Sequence, residues 1–187
     1  QTAFTYDDLG RVLTQTTRVG EPDEETTTNT YDEVRSGYFN IGMLTTAAND
    51  TATITYDYDE AARLERQQWT VAGLSGTKTE TTGYAVGGEV LWRGWPDGTT
   101  TGSSGTPWTY DNAGLLFGIP SLITSTTYNA SGQVTHIAYA NGVETTNTYD
   151  AEGRLLTTTD ALGRTTSYGF YTDFDLPQAI TDNAGNR

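Results

Sequence analysis

The sequence predicts an all-β chain built as a tandem array of antiparallel β-hairpins. Three observations carry that prediction. The composition is rich in Thr and Tyr, which favour strands, and in Gly, Asn and Asp, which favour turns. A segment that opens on Tyr-Asp, passes a Gly and ends on an aliphatic residue recurs along the whole chain. A second turn signal falls about midway between successive copies. Nothing has the long 3.6-residue apolar period of a helix, and a hydrophobic content of 35% is low for a compact globular domain.

The copies run in order. Tyr6-Asp7-Asp8-Leu9-Gly10-Arg11-Val12 is the first. The second is expanded: Tyr31-Asp32 is followed by residues 33–41 before Gly42-Met43-Leu44 resumes the pattern. Tyr58-Asp59-Glu60-Ala61-Ala62-Arg63-Leu64 is the third, and Tyr84-Ala85-Val86-Gly87-Gly88-Glu89-Val90, which lacks the acid, the fourth. Tyr110-Asp111-Asn112-Ala113-Gly114-Leu115-Leu116 follows, then Tyr128-Asn129-Ala130-Ser131-Gly132-Gln133-Val134, with Asn for Asp. Tyr149-Asp150-Ala151-Glu152-Gly153-Arg154-Leu155 is the fullest copy, and Phe170 to Leu176 keeps only an aromatic start and an aliphatic end. Successive anchors are 18 residues apart at the closest (110 to 128) and 27 at the widest (31 to 58). That suits a unit of two strands and two turns, because a strand takes about 5–6 residues. The second turns are Asp97-Gly98, Asn141-Gly142, Asp160-Ala161-Leu162-Gly163 and Asp182-Asn183-Ala184-Gly185.

Each position has a physical reason. The Gly of the turn (Gly10, Gly88, Gly114, Gly132, Gly153) supplies a positive φ. The acid (Asp7, Asp32, Asp59, Asp111, Asp150) accepts backbone N–H bonds within the turn. The Tyr ring is expected over the neighbouring hairpin with its hydroxyl at the rim, so that stacked turns form a ladder of rings. The aliphatic residue six positions on (Val12, Leu64, Val90, Leu116, Val134, Leu155, Leu176) restarts the next strand. No unit buries enough area to fold alone, so neighbours supply the missing contacts. Residues 1–187 therefore read as a single array of about eight units, cut from a longer protein: the chain opens inside a strand-like run, Thr2-Ala3-Phe4-Thr5-Tyr6, and stops inside a turn. Both ends of such a sheet are open, and the excised array is expected to self-associate, most simply as a dimer, against the repulsion of its charge.

The pattern Y-D-x-x-G-R-L, complete in Tyr149 to Leu155, resembles the YD repeat of RHS proteins, of the cocoon-forming subunits of insecticidal Tc toxins and of teneurins. The segment Asn29-Thr30-Tyr31-Asp32-Glu33, continuing through Asn40-Ile41-Gly42-Met43-Leu44-Thr45, is similar to a variant unit of bacterial RHS proteins. The resemblance covers essentially the whole chain and rests on Tyr6, Asp7, Gly10, Arg11, Tyr31, Asp32, Tyr58, Asp59, Arg63, Tyr110, Asp111, Gly114, Tyr128, Gly132, Tyr149, Asp150, Gly153 and Arg154. It implies that the hairpins join into a curved sheet spiralling into a hollow β-shell around a C-terminal toxin. Some members free that toxin with an aspartyl-type motif near the end of the shell, and neither that motif nor a toxin domain is legible here. The resemblance thus implies a non-catalytic wall segment, secreted or at a bacterial cell surface, partnered by further YD repeats and an enclosed toxin or cargo. No signal peptide is visible in Gln1-Thr2-Ala3-Phe4.

Charge narrows the partners. A net charge of −14 argues against nucleic acid and against anionic lipid surfaces. There is no cysteine, hence no disulfide or thiolate metal site, and no apolar run approaches the ~20 residues of a spanning helix, so neither membrane insertion nor a cofactor is expected. The single histidine, His136, sits in an alternating run and reads as a strand-face residue. The carboxylate pairs Asp7/Asp8, Asp57/Asp59 and Asp173/Asp175 recur with the repeat and read as turn caps rather than as a glycosidase pair or a Ca²⁺ loop. Trp69, Trp92, Trp95 and Trp108 crowd the middle of the sequence. They read first as packing between irregular long repeats; as candidate ligand-facing aromatics they support an alternative reading, a surface adhesion module that binds glycan or protein.

Overall fold

The computed structural model describes residues 1–171 and 176–183, and all regular structure among them is strand. The chain divides into two compact units, Gln1–Thr100 and Thr101–Arg187. The first holds β1 (Thr2–Tyr6), β2 (Val12–Thr17), β3 (Glu25–Tyr31), β4 (Leu44–Ala48), β5 (Ala52–Tyr58), β6 (Leu64–Val71), β7 (Lys78–Tyr84) and β8 (Val90–Gly94). The short β9 (Thr100–Thr101) falls on the boundary and ends this nine-stranded sheet. The second unit holds a two-stranded ladder, β10 (Thr109–Tyr110) and β11 (Leu116–Gly118), followed by a six-stranded sheet. That sheet comprises β12 (Ile123–Tyr128), β13 (Val134–Tyr139), β14 (Glu144–Tyr149), β15 (Leu155–Asp160), β16 (Thr165–Phe170) and β17 (Pro177–Asp182). Within every sheet the strands lie in chain order and pair antiparallel, so each strand meets only its sequence neighbours.

All eight anchors share one local feature. The register shifts immediately before each of them: at Thr5/Tyr6, Thr30/Tyr31, Asp57/Tyr58, Gly83/Tyr84, Thr109/Tyr110, Thr127/Tyr128, Thr148/Tyr149 and Gly169/Phe170. A bulge re-aims the residue that follows it, which sets the aromatic against the first residue of the returning strand, as in Tyr6 with Val12 and Tyr149 with Leu155. The last copy departs from the sequence reading. Phe170 pairs with Pro177, and Leu176 is an exposed turn residue rather than the start of β17, because this turn closes from the Tyr171 N–H to the Leu176 carbonyl, one residue wider than its relatives. Asp173 and Asp175, and the Ala184-Gly185 half of the final turn, lie outside the described residues.

The abundance of threonine has a structural counterpart. The alternation of the pleat brings Thr5, Thr14, Thr28, Thr16 and Thr26 onto one face of the first sheet, and Thr146, Thr148, Thr157, Thr159 and Thr165 onto one face of the last. Hydroxyls then bond across strands: Thr5 to Thr14 at 2.6 Å, Thr16 to Thr26 at 2.8 Å, Thr148 to Thr157 at 2.7 Å and Thr159 to Thr165 at 2.9 Å. Such pairs are a recognised source of sheet stability. Conventional core is scarce. Ile119 is the single buried hydrophobic residue among those described, whereas Asn40, Thr45, Asp57, Thr82 and Thr126 are buried and polar. Cohesion therefore comes from ladders, turns and polar stitching between neighbours.

Candidate functional site

The seam between successive repeats is where the motif residues meet. In the first turn the Asp7 carboxylate accepts the N–H groups of Leu9 (3.0 Å) and Arg11 (2.8 Å) with one oxygen and the Arg11 Nε–H (2.7 Å) with the other. Two backbone bonds close the loop, Asp7 N–H to the Arg11 carbonyl and Gly10 N–H to the Asp7 carbonyl, both 3.0 Å. Asp59 and Asp150 engage Arg63 and Arg154 in the same way, at 2.7 Å each for the side-chain bond. The Asp111 turn keeps its backbone caps to Ala113 and Leu115 but has no arginine at that place. The turn at Tyr84 retains only the backbone pair, since Ala85 offers no carboxylate. The second-turn segment Asp160 to Arg164 reproduces the full arrangement without an aromatic anchor. Gly153 holds φ at 83°, and Ala62, at the same place in the third turn, is forced to 60°; that region is costly for a residue with a side chain. Asp32 also lies at positive φ and reaches across its insertion to the Gly42 N–H.

The Tyr hydroxyls do more than mark a rim. Each donates to the carbonyl at the start of the preceding hairpin's return strand: Tyr31 to Val12 (3.0 Å), Tyr58 to Leu44 (3.0 Å), Tyr84 to Leu64 (3.0 Å), Tyr128 to Leu116 (2.6 Å) and Tyr149 to Val134 (2.7 Å). Asn29 and Asn147, two residues before their Tyr, donate to the same carbonyls as Tyr31 and Tyr149. The turn arginine reaches forward: Arg11 lies 4.3 Å from the Tyr31 ring centre and 2.8 Å from Asp32. Arg63 lies 4.7 Å from the Tyr84 ring and donates to the Ala85 carbonyl at 2.7 Å, and Arg154 lies 4.8 Å from the Phe170 ring. Tyrosine thus bonds backward and arginine stacks forward. Tyr6, at the first turn, is largely exposed, while Tyr31, Tyr58, Tyr84, Tyr110, Tyr128 and Tyr149 are half-buried.

The insertion at residues 33–41 builds the one strongly buried charge among the described residues. Asp57 is 0% exposed and accepts from Arg35 Nη1 (2.8 Å), Arg66 Nε (2.9 Å) and Asn40 Nδ2 (3.0 Å), with Arg66 Nη2 at 2.8 Å. Burial pushes this carboxyl up, and the bonds from Arg35, Asn40 and Arg66 more than reverse it, holding it below the ordinary carboxylate range. Arg35 also donates to the Thr45 and Tyr56 carbonyls and to the Glu33 carboxylate, and Asn40 Oδ1 accepts the Tyr58 N–H. Arg66 lies 4.5 Å from the Tyr38 ring. The insertion is therefore clamped onto β5 and β6. Residue-by-residue reading of the repeat missed this cluster, because Arg35, Asn40 and Arg66 are distant in sequence and outside the motif; an acid directly before an anchor Tyr, with an Arg in the insertion, is the available signal.

Asp7, Asp59, Asp150 and Asp57 each accept from an arginine side chain, whereas Asp111 has backbone partners on one oxygen only. No group of three or more metal-ligating side chains occurs among the described residues. His136 approaches Glu144 across strands at 3.4 Å on the surface. The four Trp residues do not share one platform. The ladder register puts Trp69 and Trp92 on opposite faces of the first sheet, Trp92 lies across Gly83, Arg93 stands 5.9 Å from the Trp95 ring, and Trp108 of the second unit donates to the Thr101 carbonyl at 2.9 Å.

Comparison with solved structures gives the same architecture. The TcdB2-TccC3-Cdc42 complex matches with a TM-score of 0.80 at 15% identity over 97% of this chain and 10% of that one. TcdB2-TccC3 matches with a TM-score of 0.77 at 16% identity, over 98% and 10% of the respective chains. The Tc holotoxin pore of Photorhabdus luminescens matches with 0.76 at 15% identity, again over 98% and 10%. The chain thus spans about a tenth of these relatives, and identities this low speak for the fold alone. The search of curated protein sequences gave no match. The teneurin YD-shell family, by contrast, matches residues 1–184. With its bulged anchors and stitched seams, the chain belongs to the teneurin YD-shell family.

Proposed function

We propose that this chain is a non-catalytic wall segment of a larger YD shell that encloses a toxin or other cargo domain, in a protein that is secreted or displayed at a cell surface. The observation that carries this reading is the seam: Tyr reaches back and Arg reaches forward, so each repeat is completed by its neighbours and the array is extendable by design of its turns. Partners of the segment are then further YD repeats on either side and the enclosed polypeptide. The occupied state of the turn carboxylates supports the absence of catalysis. The glycan-binding alternative draws little support from Trp residues set on opposite faces.

The test is protease protection in the parent protein. A C-terminal cargo enclosed by the shell should resist a broad protease until the wall is opened. Tyr58→Ala with Tyr149→Ala should expose it without altering the cargo itself. Cargo that is equally cleavable in the wild-type protein contradicts enclosure.

A further inference from the structure

The arginine position of the turns is filled in three of the eight copies, and the remaining copies replace it in different ways. Arg11, Arg63 and Arg154 each close a seam by covering the next aromatic ring. In the copy that starts at Tyr128 both members of the ionic pair change together: Asn129 replaces the acid and Gln133 the arginine. The two amides bond each other at 2.8 Å, and Gln133 still reaches forward to the Gly153 carbonyl at 2.5 Å. Charge is removed from both sides at once. The copy at Tyr110 changes only one of the two. Asp111 is kept, with one oxygen accepting the N–H groups of Ala113 (2.8 Å) and Leu115 (2.9 Å), while Leu115 stands where the guanidinium belongs.

The consequence is a hole of defined chemistry. An open cavity of about 570 Å³ lies between this turn and the next, lined among others by Asp111, Leu115, Phe117, Thr126, Tyr128 and Asn129. The Tyr128 ring is fixed by its hydroxyl bond to Leu116, yet among the described residues no arginine covers it as Arg11 covers Tyr31. Asp111 and Tyr128 both line this cavity; burial pushes the Tyr128 phenol up, and the Asp111 carboxylate adds to the rise. Leu115 and Phe117 offer an apolar wall for an alkyl stem.

We propose that this cavity binds an arginine side chain presented by a second polypeptide, with Asp111 accepting the guanidinium and the Tyr128 ring stacking on it. The geometry favours arginine over lysine, because the filled seams of the same chain use a planar group that meets a carboxylate and an aromatic face at once. The proposal does not depend on enclosure of a cargo.

The test is a titration of the full chain with N-acetyl-arginine amide and, separately, N-acetyl-lysine amide, following backbone amide NMR signals of residues 111–133. The arginine probe should give saturable shifts at Leu115, Phe117, Tyr128 and Asn129, and the lysine probe should bind at least about fivefold more weakly. Asp111→Asn should weaken the arginine probe by about tenfold. Leu115→Arg should close the site from within, abolishing the shifts and raising the melting temperature; this variant decides the matter if Asp111→Asn folds poorly. Unsaturable shifts, equal binding of both probes, or unchanged binding in Leu115→Arg would overturn the proposal.

Discussion

Asp57→Asn is the most informative single change, because it keeps the shape of the side chain and deletes only its charge. The native carboxylate is completely buried and satisfies Arg35, Arg66 and Asn40. An amide there presents N–H to at least one guanidinium, leaves Arg66 without its counter-ion and leaves Arg35 with Glu33 alone. Breaking a buried ion pair costs about 3–5 kcal/mol. The two arginine side chains are 22% and 27% exposed, so water recovers part of the loss, and we place the cost at about 3 kcal/mol. For a unit the size of Gln1–Thr100 that lowers the melting temperature by about 10–20 °C. The assay is urea and thermal unfolding followed by fluorescence of Trp69 and Trp92, with the exposed Asp8→Asn as control. Adding Arg66→Gln to Asp57→Asn should restore part of the loss, since the uncompensated charge goes with it. An Asp57→Asn protein within about 0.5 kcal/mol of wild type, the range of ordinary surface changes, would refute the claim that this network clamps the insertion.

Further outcomes follow from the same geometry. Tyr149→Phe should cost about 1 kcal/mol in urea unfolding by removing the shorter of two side-chain bonds to the Val134 carbonyl, whereas Tyr6→Phe, at the largely exposed first anchor, should be neutral. Ala62→Gly should stabilise by about 0.5–1 kcal/mol, because φ there is 60°; a loss of stability contradicts the strain. Asp7, Asp32, Asp57, Asp59, Asp150 and Asp160 are all held below the ordinary carboxylate range. Lowered folded-state values contribute stability that is present above the unfolded value near 4 and is lost as pH falls through the folded ones, so the melting temperature should hold down to about pH 5 and drop below about pH 4. The outer edge of β1, five exposed residues long, should pair with a second copy, and salt should strengthen this by screening the −14 charge; sedimentation showing a monomer at millimolar protein and high salt would count against it.

The fold was legible because its determinants are local. Asp and Gly in the turn act within five residues, and the aromatic anchor and aliphatic return residue mark the strand ends directly, so seven of the eight turns read correctly from spacing. The eighth, after Phe170, lacks both Asp and Gly in the usual places, which hid a turn one residue wider. The seams were less legible. That Tyr31 bonds the Val12 carbonyl, or that Arg11 reaches Asp32, depends on how one hairpin lies on the next. The Asp57 cluster was invisible for the same reason: it joins an insertion to two strands, and its members share no period. Closeness in sequence does not settle which face a residue occupies: one residue of parity separates Trp69 from Trp92 across the sheet.

The central claim is that these repeats form wall within a larger shell, stitched through the Tyr and Arg seams. Cryo-electron microscopy of the parent protein tests it most directly. The account predicts residues 1–187 within a continuous wall around an internal cavity, with further YD hairpins on the free edges and the Tyr31, Tyr58, Tyr84, Tyr128 and Tyr149 hydroxyls on the carbonyls named above. A map in which this segment stands apart from any enclosing wall, with its sheet edges unpaired, would contradict it.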